Sequence, residues 1–184
     1  MVYSQGGWGQ PWKTIQKQYA CPIVFVSHKS EDSVTAARVA EKLWRPPRLA
    51  SYIDLADNGL PDSKHDLGDH FRDRLRQCTN LMAVISQKTK GSWWVPFEIG
   101  IATELEYPLA TYAVDIAEIP DYLRKWPYLT SDRDLEIYAN TVEKQERLFL
   151  VEAAVSDFRR LDPAHRRTYV NSFHRVLKGA LGQI

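Results

Sequence analysis

The sequence of this 184-residue chain predicts an α/β fold, with a parallel sheet covered by helices on both faces. Three observations carry that expectation. Short, nearly continuous apolar runs recur along the chain, as strands buried on both faces require. Amphipathic helical stretches separate them. Their lengths suit right-handed βαβ units.

Residues 1–20 hold three glycines and two tryptophans without a clear period, and read as an irregular arm. C-P-I-V-F-V-S (21–27) is the first buried strand. Ser30 to Trp44 then reads as a helix, with Ser30 as its cap and Glu31 and Asp32 at its positive end. Val34, Ala37, Ala40, Leu43 and Trp44 share its expected buried face, and R-P-P-R (45–48) stops it. L-A-S-Y-I-D (49–54) is the second strand, followed by a loop rich in Asp, Asn, Gly and Pro that ends at Pro61. A helix over 63–78 aligns Leu67, Phe71, Leu75 and Cys78. L-M-A-V-I-S (81–86) is the third strand, and S-W-W-V-P-F-E-I-G (92–100) opens a helix that runs to about Glu106. A-T-Y-A-V-D (110–115) is the fourth strand. Pro120 and Pro127 break up a short helical stretch, and a fifth strand falls near Tyr128 to Thr130 with the weakest signal of the set.

The domain so outlined covers 21–130. Two helices, 131–158 and 163–181, are expected to pack on it, with Asp162-Pro163 as the break. Tyr169, Phe173, Val176 and Leu177 share a face of the last helix, while Arg166, Arg167, Arg175 and Lys178 fall mostly elsewhere. That basic side reads either as a solvated surface or as a partner or self-association surface.

Composition excludes several classes. There are 24 basic and 23 acidic residues, for a formal net charge of +1, which gives no electrostatic case for a nucleic-acid binder. No run approaches the ~18 apolar residues of a membrane span. The start lacks the charged-then-apolar form of a signal peptide. Cys21 and Cys78 form no C-x-x-C pair, a usage that fits buried thiols in a reducing cytoplasm. There is no G-x-x-x-x-G-K-[ST], H-E-x-x-H or G-x-S-x-G, and Gly6, Gly7 and Gly9 follow no strand. His65 and His70 are five apart, a poor spacing for joint ligation, so no metal is expected. A phosphoacceptor receiver needs acids where this chain has Ser27-His28-Lys29 and Ser86.

In an open parallel sheet, ligands bind beyond the carboxyl ends of the strands, where strand order reverses. Three loops should therefore share a rim: Ser27 to Ser30, Asp54 to Pro61, and Ser86 to Trp94. Glu98 falls within the apolar stripe of its helix. One reading makes it an ordinary first-turn acid that complements the helix dipole. The other sets it in a partly enclosed, aromatic-walled place suited to a cationic or cation-forming ligand. Trp94 is its neighbour one helical turn back, and Pro96 sits in the first turn, where a missing N–H costs little. Lys29 reads as a solvated loop lysine or as a phosphate contact beside a helix N-terminus.

I-V-F-V-S-H-K-S-E-D, Y-I-D-L-A-D, L-M-A-V-I-S and S-W-W-V-P-F-E-I-G-I-A occur in this order and spacing. Together they resemble the Toll/interleukin-receptor (TIR) domain family over roughly residues 21–130. The compact form with extra C-terminal helices is most similar to prokaryotic stand-alone members, including the NAD-cleaving component of Thoeris antiphage defence. The resemblance implies a flavodoxin-like α/β/α fold with four or five parallel strands. It also implies NAD+ glycohydrolase or cyclase activity, with NAD+ as substrate and no bound cofactor. The family's W-x-x-x-E segment maps onto Trp94 and Glu98, making Glu98 the implied catalytic residue. The implied substrate-binding residues are Phe25, Ser27, His28, Lys29, Asp54, Trp93 and Trp94. Implied partners are other copies, in a homo-oligomer or TIR–TIR assembly, and a downstream effector that senses the product. The loop after the second strand departs from the family pattern, and 131–184 lies largely outside it. Two rivals stand beside this reading. One is a non-catalytic TIR signalling module acting through protein contacts. The other is a different N-glycosidic transferase, such as a nucleoside deoxyribosyltransferase, against which the lack of a second acidic site counts.

Overall fold

A computed structural model describes residues 2–3, 22–45, 49–53, 67–89, 92–115, 119–153 and 162–183. Its strands are β1 (Val2–Tyr3), β2 (Ile23–Ser27), β3 (Ala50–Ile53), β4 (Asn80–Ile85), β5 (Leu109–Ala113) and β6 (Tyr128–Leu129). The helices are α1 (Ser33–Trp44), α2 (Leu67–Leu75), α3 (Trp94–Glu104), α4 (Asp132–Ala153) and α5 (Pro163–Ala180). All strand pairs are parallel and form one six-stranded sheet, in the order β1-β3-β2-β4-β5-β6. Apart from the two-residue edge strand β1, this is the flavodoxin-like order, with its reversal between β2 and β4.

Alternation along each strand divides the core in two. Phe25, Tyr52, Leu81, Ile85 and Leu109 face one layer, where they meet Phe71 and Leu75 of α2 and Val95, Ile99 and Ala102 of α3. Val24, Val26, Met82, Val84 and Leu129 face the other, against Val39 and Leu43 of α1, Tyr138 and Val142 of α4, and Phe173 and Leu177 of α5. The result is a three-layer α/β/α sandwich. The helices after residue 131 share the domain's own core. Each large side chain so buried contributes about 1.5–3 kcal/mol.

Polar side chains of α5 tie it to the sheet. His174 Nε2 accepts the Leu109 N–H at 3.0 Å. Gln183, just past the helix, accepts from the Tyr128 N–H at 3.1 Å and donates to the Tyr128 carbonyl, so it occupies the hydrogen-bonding groups of an edge strand. Asp162 caps α5 by accepting from Ala164 N and His165 N, and Pro163 occupies the first helical position.

Several expectations need correction. Val2–Tyr3 joins the sheet, although the arm carries no local strand signal. Ser30 does not cap α1: it begins a 3-10 turn, Ser30–Asp32, and its hydroxyl bonds Glu31 at 2.9 Å. The buried face of α1 is Ala36, Val39, Ala40 and Leu43, with Val34 83% exposed. These four stand at i, i+3, i+4 and i+7, opposite Thr35, Arg38 and Lys42. Val176 is likewise exposed on α5, and Val170 is buried instead. Helix α3 stops at Glu104 because Glu106 turns left-handed at φ 55°. Glu106 N then reaches Thr103 O and Tyr107 N reaches Ala102 O, the two bonds of a Schellman stop. Cys21, Asp54, His65, residues 63–66 of the predicted second helix and 154–158 of the predicted fourth lie outside the described residues. No helix among the described residues is long and apolar enough to cross a membrane.

Candidate active site

Strand β2 ends at Ser27 and β4 at Ile85, side by side at the reversal of strand order. Ser27 continues the face that carries Phe25, because both are odd positions of one strand, and so it points toward the layer of α2 and α3. Helix α3 buries Val95, Glu98, Ile99 and Ala102, a stripe at helical spacing. Glu98 is the acid in that stripe, only 1% exposed. Ser27 Oγ donates a hydrogen bond to its Oε2. A carboxylate at this depth must be compensated by polar partners, and the end of β2 supplies one.

Ser86, the residue after β4, points to the opposite face. Its Oγ donates at 2.7 Å to Asp32, which is 5% exposed at the start of α1. Thr89 Oγ1 donates to the same carboxylate oxygen at 3.3 Å. Two carboxylates therefore flank the reversal from opposite layers. Each is held by a hydroxyl from the strand end that precedes the other's helix.

The rims are stitched as well. Lys29 Nζ reaches the Lys88 carbonyl at 3.3 Å and the Glu31 carboxylate at 2.7 Å. Lys88 Nζ returns to the Glu31 carbonyl at 3.1 Å. Lys29, followed by smaller hydrogen-bond contributions, holds the Glu31 carboxyl well below the usual carboxylate range. Lys29 is thus a bridge between the loops after β2 and β4.

Aromatic residues crowd the start of α3. Trp93 meets Trp94 edge-on at 5.4 Å between centroids, and Phe97 lies 5.6 Å from Trp94. Trp93 is 66% exposed, whereas Trp94 is half-buried. An exposed indole at the rim is able to stack on a flat base. Pro96 falls at the third position of the helix, within the first turn.

Of the residues implied by resemblance, Ser27 and Glu98 are joined directly. His28, the next residue after Ser27, is buried, its Nδ1 at 3.4 Å from Val26 O. Phe25, implied as a substrate contact, packs in the core. It is fully buried, packed on Tyr52 at 5.3 Å and Phe71 at 5.1 Å. Its position two residues before the strand's end places it under the site, in the core. Asp54 falls outside the described residues. Sequence reasoning missed Asp32, Ser86 and Thr89. Asp32 was legible only as a first-turn acid, and nothing local distinguishes it from one. Ser27, His28 and Glu98 are each almost fully covered, so the site is closed in this structure. No protein-family model matches the chain, and no curated protein matches it.

Proposed function

We propose that this chain is a TIR-type enzyme that cleaves the bond between nicotinamide and ribose in NAD+, with Glu98 as its catalytic carboxylate. The observation that carries this reading is the buried Glu98 held by Ser27 at the reversal of strand order. Glu98 is the fifth residue of α3 and not a first-turn acid. It lies against the end of β2, where open α/β sheets bind ligands.

The chemistry needs one carboxylate. Cleavage breaks the bond from ribose C1′ to the pyridinium nitrogen, and the nitrogen keeps the electron pair. Nicotinamide leaves neutral without taking a proton, so no general acid is required, unlike ordinary glycoside hydrolysis. The sugar becomes cation-like, and a fixed negative charge in a water-poor place stabilises it by on the order of 3–4 kcal/mol. Water then captures C1′ and loses a proton, giving ADP-ribose, or an atom of the same molecule does so, giving a cyclic isomer. Trp93 offers a stacking surface at the rim. A product of this kind suits a diffusible signal in antiphage immunity, read by a separate effector.

Closure of the site calls for movement before substrate reaches Glu98, so activity is expected to depend on an activating cue or on assembly. The test is incubation with NAD+ at high protein concentration, with and without a crowding agent, following nicotinamide by chromatography. Glu98→Gln is the control. Release that disappears in the variant supports the reading; equal release by both sinks it.

A second reading, a non-catalytic assembly module, draws on the exposed aromatic cluster of Trp93 and Phe97. It predicts no nicotinamide release under any of these conditions, together with concentration-dependent self-association that Trp93→Ala weakens.

A further inference from the structure

Asp32 and Asp162 occupy the same position, immediately before the first residue of α1 and of α5. Asp162 behaves as position predicts and caps its own helix. Asp32 makes no side-chain cap bond to α1. Its carboxylate accepts from Ser86 and Thr89, 54 and 57 residues further along the chain. Burying an acid without using it as a cap is costly, and helix formation alone does not account for it.

What Asp32 holds is the turn that leads into α3. Within that turn, Lys88 N donates to Ser86 Oγ at 3.0 Å, and Ser86 N donates to Thr89 Oγ1 at 2.9 Å. Ser92 N then donates to Thr89 O at 2.9 Å, and Trp94 N to Ser92 Oγ at 3.3 Å. Trp94 is the first residue of α3, and Glu98 lies one turn further on. A continuous chain of hydrogen bonds thus runs from the Asp32 carboxylate to the helix that carries Glu98. Ser27 fixes the Glu98 carboxylate itself, on Glu98's own face of the sheet.

We propose that Asp32 is a positioning residue for Glu98. It anchors the Ser86–Thr89 turn from which α3 starts, and so sets where the Glu98 carboxylate stands. This rests on the reading of Glu98 as the reacting group. Asp32 touches no substrate: its carboxylate is occupied by Ser86 and Thr89 on the face of the sheet opposite Glu98.

The test compares Asp32→Ala, Asp32→Asn and Ser86→Ala in the full chain by amide hydrogen exchange and by NAD+ kinetics. Asp32→Ala is expected to speed exchange at Lys88 and Trp94 by roughly tenfold or more while core β4 amides stay slow. It should lower kcat roughly tenfold with KM within about twofold, the pattern of a lost transition-state interaction. Asp32→Asn keeps an acceptor oxygen and should restore both to within about threefold. Combined with Ser27→Ala, the loss in kcat should fall short of the product of the two single losses, because both act through Glu98. Ser86→Ala removes the donor instead of the acid and should repeat the Asp32→Ala pattern even where Asp32→Ala folds poorly. Unchanged exchange in both Asp32→Ala and Ser86→Ala overturns the proposal. So does Asp32→Asn matching Asp32→Ala in kcat, or a rise in KM alone. If the wild-type chain releases no nicotinamide even at high concentration with a crowding agent, the reading of Glu98 fails, and the exchange pattern alone decides whether the anchor exists.

Discussion

The hydroxyl of Ser27 donates to the carboxylate of Glu98 across 71 residues of sequence, joining the end of β2 to the first turns of α3. The pair sits where β2 and β4 run side by side and the chain's winding reverses. On the proposed reading, Glu98→Gln lowers nicotinamide release by on the order of 100-fold or more, as loss of a fixed electrostatic group does. Ser27→Ala has a smaller effect, roughly tenfold or somewhat more, since a hydrogen bond to a charged group is worth about 1.5–3 kcal/mol. Chromatographic assay checks both, with unchanged circular dichroism as the condition for reading them.

Phe25 separates core from site. Phe25→Ala should destabilise the fold by about 3–5 kcal/mol, through lost burial and a cavity between Tyr52 and Phe71. Phe25→Leu, closer in volume, should cost about 1 kcal/mol and leave KM for NAD+ within about twofold. Urea unfolding and steady-state kinetics measure the two quantities. A large rise in KM without loss of stability would return Phe25 to the binding surface.

Tyr138 is fully buried on α4 at 6.2 Å from the Phe173 ring, and its hydroxyl has no hydrogen-bond partner among the described residues. Burial drives the phenol's pKa upward, keeping it neutral. Removing a desolvated, unmatched hydroxyl should stabilise the protein, so Tyr138→Phe is expected to gain about 1 kcal/mol. For a domain of this size that raises Tm by about 2–4 °C in calorimetry.

His174 makes stability depend on pH. Its pKa is lowered from 6.5 to about 4, chiefly by burial, with the nearby charges of Lys178 and Lys125 adding to the effect. In the unfolded chain the imidazole protonates near its ordinary value. Between those limits the unfolded state binds the extra proton. Stability is therefore full above pH 6.5, declines as pH falls, and stops declining from this source below about 4. At about 1.4 kcal/mol per unit, the total is about 3 kcal/mol at most. His174→Gln should show a flatter stability profile over this window in urea titrations at several pH values.

The strands and helices were largely legible because each buried segment advertises itself locally. Unbroken apolar runs such as I-V-F-V-S and L-M-A-V-I mark β2 and β4. Ile101, Ala102 and Leu105 around Glu98 also marked it as an acid turned inward; the structure keeps Ala102 on that buried face and adds Val95 and Ile99. The face of α1 was misplaced by counting Val34 and Trp44 in place of Ala36 and Val39, although Ala36, Val39, Ala40 and Leu43 stand at helical spacing.

Local pattern determined the fold class, the punctuation of its elements and the one acid worth suspicion. Only tertiary structure decided that Phe25 belongs to the core, that Asp32 forgoes its own helix for Ser86, and that Val2–Tyr3 adds a strand. Propensity and period are properties of neighbours along the chain. Contacts across the sheet depend on strand order and register, and those are set by how all the buried faces close together.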